Sequence, residues 1–118
     1  KAANLTVNIS DVEDDNGYVL VALYQGEENY NKGKEILFTR VKAKAGDNQA
    51  VFEGVDAGEY AIKIFHDAND NKKLDFNILG IPKEGYAFSN NVGLFGSPAY
   101  NEAKFNVKEN TAIKINMN

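Results

Sequence analysis

The amino-acid sequence predicts an all-β protein, a seven-stranded, two-sheet antiparallel β-sandwich with one long ordered loop. Three observations lead there. Apolar and polar residues alternate in short runs, no window of helical length keeps a 3.6-residue period, and turn residues separate the runs. At 118 residues the chain suits a single domain, residues 1–118, with one modest core.

The elements follow in order. In "LTVNIS", Leu5, Val7 and Ile9 share a face opposite Thr6 and Asn8, as a half-buried strand requires. Asn16-Gly17 suits a tight turn with φ > 0, so the first and second strands are expected to pair as a hairpin. The second strand, Tyr18 to Tyr24, is apolar on both faces, which implies a central place in its sheet or a connection packed over one side. "GEENYNKGKE" is polar and reads as a loop or one helical turn. "ILFTRVKAKAG" resumes alternation, with Leu37, Thr39, Val41 and Ala43 opposite Phe38, Arg40, Lys42 and Lys44. A short strand around Val51 and Phe52, a Gly-containing turn and a strand with Tyr60, Ile62 and Ile64 on one side come next, Tyr60 packing across the turn. This "AGEY" pattern is common in prealbumin-like and related sandwiches, so the expected type is immunoglobulin- or prealbumin-like. "AKFNV" and "TAIKINM" close the fold, with Ala103, Phe105 and Val107, then Ile113, Ile115 and Met117, facing inward.

Bulk properties exclude several classes of partner. With 13 Lys plus Arg against 17 Asp plus Glu, the net charge of −4 offers no field for a phosphate backbone, so nucleic acid is not an expected partner. The longest apolar run, Tyr18 to Tyr24, is far short of the roughly 20 residues of a transmembrane helix. Cysteine is absent, which removes disulfides and thiolate metal sites. An opening at "KAANLTV" suits a chain trimmed just after an export signal.

One segment, 67–101, breaks the alternation, and loops beyond roughly 12–15 residues tend to be functional. It opens with "HDANDNKKLDFN", in which oxygen-bearing residues recur at every second position. A hard cation such as Ca²⁺ takes six to eight oxygens, and a coiling loop supplies them from alternate residues. Asp67, Asn69, Asn71, the carbonyl of Lys73 and Asp75 fill such slots, and Glu84 is the later acid chosen to complete the shell. Lys72 stands where the sharp turn of a helical calcium hand wants Gly, and Ile78 where it wants a bidentate Glu. The expected cofactor is therefore a weakly held, structural Ca²⁺. The same letters also suit a metal-free turn, because Asn and Asp side chains bond nearby backbone.

"YAIKIFHDANDNKKLDFNILGIPKEGYAFSNN" with "GSPAYNEAKFNV" resembles a bacterial family known only as domain of unknown function 2141. The likeness runs from Leu5 and is strongest at His66-Asp67, Asn69, Asn71, Asp75, Gly80-Ile81-Pro82, Glu84-Gly85 and Phe88-Ser89-Asn90-Asn91. Lys72, where a Gly often stands in the family, is the visible departure. The resemblance implies an exported protein of Gram-negative bacteria, periplasmic, outer-membrane-associated or secreted, with no activity attached.

Other chemistry is sparse. His66, the single histidine, falls on the Tyr60, Ile62 and Ile64 side and reads as a partly buried, hydrogen-bonded residue. A Ser-His-Asp arrangement through Ser89 or Ser97 lacks a nucleophile-elbow sequence. "FSNNVGLFGSP" lacks the Lys of a phosphate loop and reads as a turn system. Tyr86, Phe88, Phe95 and Tyr100 suit either packing under the loop or a sugar-stacking platform. The expected function is a non-catalytic module that meets a protein or glycan partner at the cell envelope. The alternatives are a carbohydrate-binding module using those aromatics and a hydrolase pairing His66 with Asp67 or Glu84.

Overall fold

The computed structural model describes residues 3–12, 15, 17–67, 86–92 and 98–117. Among them the strands are β1 (Ala3–Val12), β2 (Tyr18–Gln25), β3 (Leu37–Lys42), β4 (Gly46–Val55), β5 (Gly58–Asp67), β6 (Tyr86–Phe88), β7 (Phe105–Val107) and β8 (Thr111–Asn116). Two short helices, α1 (Glu27–Lys32) and α2 (Tyr100–Ala103), and a 3-10 turn at Ser89–Asn91 complete them. One sheet has the order β4-β1-β8, and the other β3-β2-β5-β6 with β7 also paired to β5. The all-β sandwich is as expected, with eight strands among the described residues instead of seven. The additional strand, β6, lies within the segment read as loop, where three residues are too few to show alternation.

Between the sheets, the inward residues of β1 (Leu5, Val7, Ile9) meet those of β2 (Val19, Val21, Leu23) and of β5 (Tyr60, Ile62, Ile64) in one apolar cluster. Each fully buried aliphatic side chain in such a layer contributes about 1.5–3 kcal/mol relative to exposure. Tyr60 also packs across its turn as expected, its hydroxyl donating to the Asp56 carbonyl at 2.6 Å. The polarity of that group is thereby satisfied at the core boundary.

Two pairings differ from the sequence expectation. β1 does not form a hairpin with β2, because both of its edges are occupied: β4 pairs along one side and β8 along the other. Gly17 does take the positive φ of a turn, 68°, but the chain there crosses from one sheet to the other. β1 and β2 then oppose each other face to face across the core. The β1–β8 pair is parallel, so the sandwich is not wholly antiparallel. Ala103 likewise belongs to α2, outside the two-sheet core, whereas Val107 and Ile115 do face inward.

The two-sided apolar character of β2 is explained twice over. It is central, flanked by β3 and β5, and its outer face is covered by α1 and α2 through Tyr24, Tyr30, Ala61, Tyr100 and Ala103. Helix α1 ends at Gly33, whose left-handed φ of 70° lets the next amide, Lys34 N–H, return to the Asn29 carbonyl at 2.8 Å. Tyr30 is thereby held over the sheet, its hydroxyl donating to the Pro98 carbonyl at 2.8 Å.

Along the outer edge of β5, β7 pairs with residues Gly58 to Tyr60 and β6 with Lys63 to Phe65. The Ile62 amide falls in the break between them. Ser89, 1% exposed, fills that break: its Oγ accepts from Ile62 N–H at 3.0 Å and donates to the Ala103 carbonyl. Asn90 donates to the carbonyls of Glu102 and Lys104 at 3.0 and 2.8 Å. Asn91 accepts from the Asn116 amide at 2.7 Å, joining the turn to β8 of the opposite sheet. Both asparagines have positive φ, 65° and 55°, which Asn tolerates better than most residues. "SNN" is therefore a structural clasp. Ser89→Ala leaves a buried N–H and C=O without partners, and the expected loss is about 1–3 kcal/mol. Urea unfolding with an unchanged slope and a lower midpoint is the measurement that checks it.

Candidate functional site

Of the predicted metal ligands, only the backbone of Asp67 is among the described residues. The backbone of Asp67 ends β5 opposite Tyr18, while Asn69, Asn71, Lys73, Asp75 and Glu84 lie outside the described residues, as does the Asp67 side chain. Among the described residues no three His, Cys, Asp or Glu groups come together to hold a metal ion. His66 is 4% exposed and, by strand alternation, shares the inner face of β5 with Ile62 and Ile64. Ser89 spends its hydroxyl in the clasp, so it is not poised as a nucleophile. Phe88 and Tyr100 are only 6% and 4% exposed, which denies a sugar those two ring faces. Tyr86 and Phe95 fall outside the described side chains.

Of the described recesses, the one with the most apolar lining is on the outer face of the five-stranded sheet. Strand register builds it. Ala22 pairs with Phe38 on one side and Lys63 on the other, and Lys63 pairs with Phe88, so these four form one row across β3, β2, β5 and β6. The neighbouring row carries Arg40, Leu20 and Phe65. Because the alanine methyl is short beside Phe38 and the lysine stem, the row dips at β2 into a groove of about 220 Å³. Its walls include Leu20, Tyr24, Phe38, Phe65 and Phe88, and they are almost wholly apolar. Phe38, on edge strand β3, remains 50% exposed.

One charged group belongs to this groove. The Lys63 ammonium lies 5.0 Å from the centre of the Tyr24 ring and 4.4 Å from that of Tyr30. Tyr24 and Tyr30 meet edge to face at 5.8 Å, and Tyr30 meets Tyr100 at 5.5 Å, so the cation sits on a braced aromatic wall. Partial burial holds the Lys63 pKa below that of an ordinary lysine. Among the described residues the ion pairs are Lys32–Glu28 and Lys104–Glu59, and neither includes Lys63. By contrast, the Arg40 guanidinium is over Tyr18 at 4.1 Å and the Lys42 ammonium donates to the Asp15 carbonyl at 2.8 Å.

A second, more polar recess of about 350 Å³ lies beside α2, lined by Glu27, Glu59, Tyr100, Asn101 and Lys104. The Tyr100 hydroxyl is buried without a well-formed hydrogen bond, and Glu59 lies beside it. Burial first, then that carboxylate, push its pKa up to about 12. Lys104 approaches Glu59 at 3.5 Å across half-exposed side chains, an arrangement of small energetic weight. Lys104 and Glu59 offset each other, and Glu27 leaves the recess with an excess of negative charge.

Sequence reasoning did not assemble the groove, although its letters carry a signal. Leu20, Phe38 and Phe65 occupy outward positions of strands whose inner faces are already apolar, and outward apolar residues on adjacent strands form a patch once register is known. Among the described residues no helix is long and apolar enough to cross a membrane. In comparison with known families, residues 7–115 match the model described as an uncharacterized protein conserved in bacteria, DUF2141. No curated protein matches the chain, and no solved structure does.

Proposed function

Since the chain belongs to the bacterial DUF2141 family, we propose that it is an exported, non-catalytic binding module whose ligand surface is the outer face of the five-stranded sheet. The observation that carries this reading is the apolar groove floored by Ala22 between Phe38 and Lys63. Small-molecule sites are concave and mostly apolar, with a few placed polar groups, and the groove has that composition. Its residues lie on paired strands and not on loops, which favours a preformed site over one shaped by the ligand. A cell-envelope location follows from the exported character that the family resemblance implies.

The Asp67-to-Asp75 pattern adds a structural Ca²⁺ to the proposal, with Asp67, Asn69, Asn71, the Lys73 carbonyl, Asp75 and Glu84 as ligands. The pattern leaves β5 directly, so a bound ion would tie down the chain that follows the strand presenting Lys63. A glycan platform is less favoured, because two of its four rings are packed inside. Catalysis by His66 is likewise less favoured, since that imidazole is enclosed on the inner face of its strand.

A neutral apolar dye, N-phenyl-1-naphthylamine, is expected to fluoresce in the presence of the folded chain, and Ala22→Leu, which fills the groove floor, is expected to abolish the signal while leaving the circular dichroism unchanged. Dye uptake that Ala22→Leu does not alter would remove the surface from consideration. For the ion, Ca²⁺ at about 10 mM is expected to raise the melting temperature by a few degrees relative to chelator, as weak extracellular sites do. Asp75→Asn should erase that rise, and a wild-type melting curve indifferent to calcium contradicts the ligand set.

A further inference from the structure

We propose that the groove on the outer sheet face binds a small amphipathic monocarboxylate, an alkanoate of medium length, with its carboxylate at Lys63 and its tail along Ala22 towards Phe38. This inference rests on the binding-module reading and adds the chemical class of the ligand.

Three observations select the class. The first is a cation whose described surroundings are aromatic and apolar. Lys63 stands in a row whose other members are Phe38, Ala22 and Phe88, and its ammonium is met by two ring faces. Rings replace only part of the hydration that a half-buried ammonium gives up. The depressed pKa of Lys63 reports the same deficit. An arriving anion would remove it.

The second is the shape. At about 220 Å³ the groove is smaller than the roughly 300 Å³ at which drug-sized pockets begin, so it has room for a short flexible tail and not for a fused ring system. The open end lies at β3, where Phe38 is half exposed and a longer chain could run out over the rim.

The third is the charge count. Lys63 is the one cation among the groove's described lining residues, Arg40 and Lys42 lying outside that lining, over Tyr18 and at the Asp15 carbonyl. Glu35 is near enough to raise the Tyr24 pKa, and the chain as a whole is at −4, both of which oppose a ligand of higher negative charge such as a phosphate dianion.

The test compares sodium octanoate with 1-octanol on the folded full chain, by calorimetry and by chemical-shift perturbation. Octanoate is expected to bind at least about tenfold tighter, the scale of one charge-assisted hydrogen bond, and to shift the resonances of Ala22, Phe38 and Phe65. Lys63→Met should remove the preference while sparing octanol and the neutral dye, and Lys63→Arg should keep it. A measurement without substitution guards against misfolding: the Lys63 Cε resonance should titrate at higher pH with octanoate bound and be unmoved by octanol. Equal affinity for the two ligands, or a preference that survives Lys63→Met, overturns the assignment. Tighter binding of an apolar peptide with a free C-terminal carboxylate than of octanoate also overturns it. If the neutral dye binds and octanoate gains nothing, the carboxylate assignment falls and the module reading stands; if neither binds, both fall.

Discussion

The antiparallel pairing of β2 with β5, unbroken from Tyr18 opposite Asp67 to Gln25 opposite Tyr60, is the constraint from which the rest of the molecule follows. Side chains along a strand alternate faces, so this single register sends Val19, Val21, Leu23, Ile62 and Ile64 into the core. It simultaneously sends Leu20, Ala22, Tyr24, Lys63 and Phe65 outward, where they become the groove and its aromatic wall. A slip of one residue would exchange the two sets, exposing the core and burying the lysine among aliphatic groups. The cost of that exchange makes the register strongly specified.

Both faces of the pair are therefore occupied, and the covering elements divide the outer face between them. Tyr30 from α1 and Tyr100 from α2 close one end over Tyr24 and Ala61. The other end, past Ala22, is left open towards edge strand β3. The clasp at Ser89 to Asn91 fixes where the closure stops, since it anchors α2 through the carbonyls of Glu102, Ala103 and Lys104. Through Asn91 it also ties this arrangement to β8 in the opposite sheet. Core packing, polar satisfaction and the presented surface are thus parts of one arrangement around β5.

Legibility in the sequence follows the range of the interactions. Alternation is local, and it identifies the inward faces of β1, β5 and β8 and the two-sided burial of β2. Partner choice is not local. Asn16-Gly17 satisfies a turn whether or not the strands it joins are paired, and the parallel β1–β8 contact joins positions more than 100 residues apart. β6 and α2 are each too short to display a period, so in sequence they read as part of a loop whose letters emphasise oxygen ligands. The groove was equally hidden. Phe38, Ala22, Lys63 and Phe88 come from four separate strands, and only the register brings them into one row. The family motif around Ser89 was visible as letters, but its work of filling the gap between β6 and β7 depends on tertiary placement.

The most direct test of the account is an isotope-edited NOE measurement from the Ala22 methyl group. Directly opposed residues on one sheet face bring their Cβ atoms to within about 4.5–5.5 Å, well inside the reach of that experiment. The account predicts cross-peaks to the Phe38 ring and to the Lys63 side chain. Cross-peaks from Ala22 to inner-layer groups such as Leu5 or Ile115, with none to Phe38 or Lys63, would contradict it.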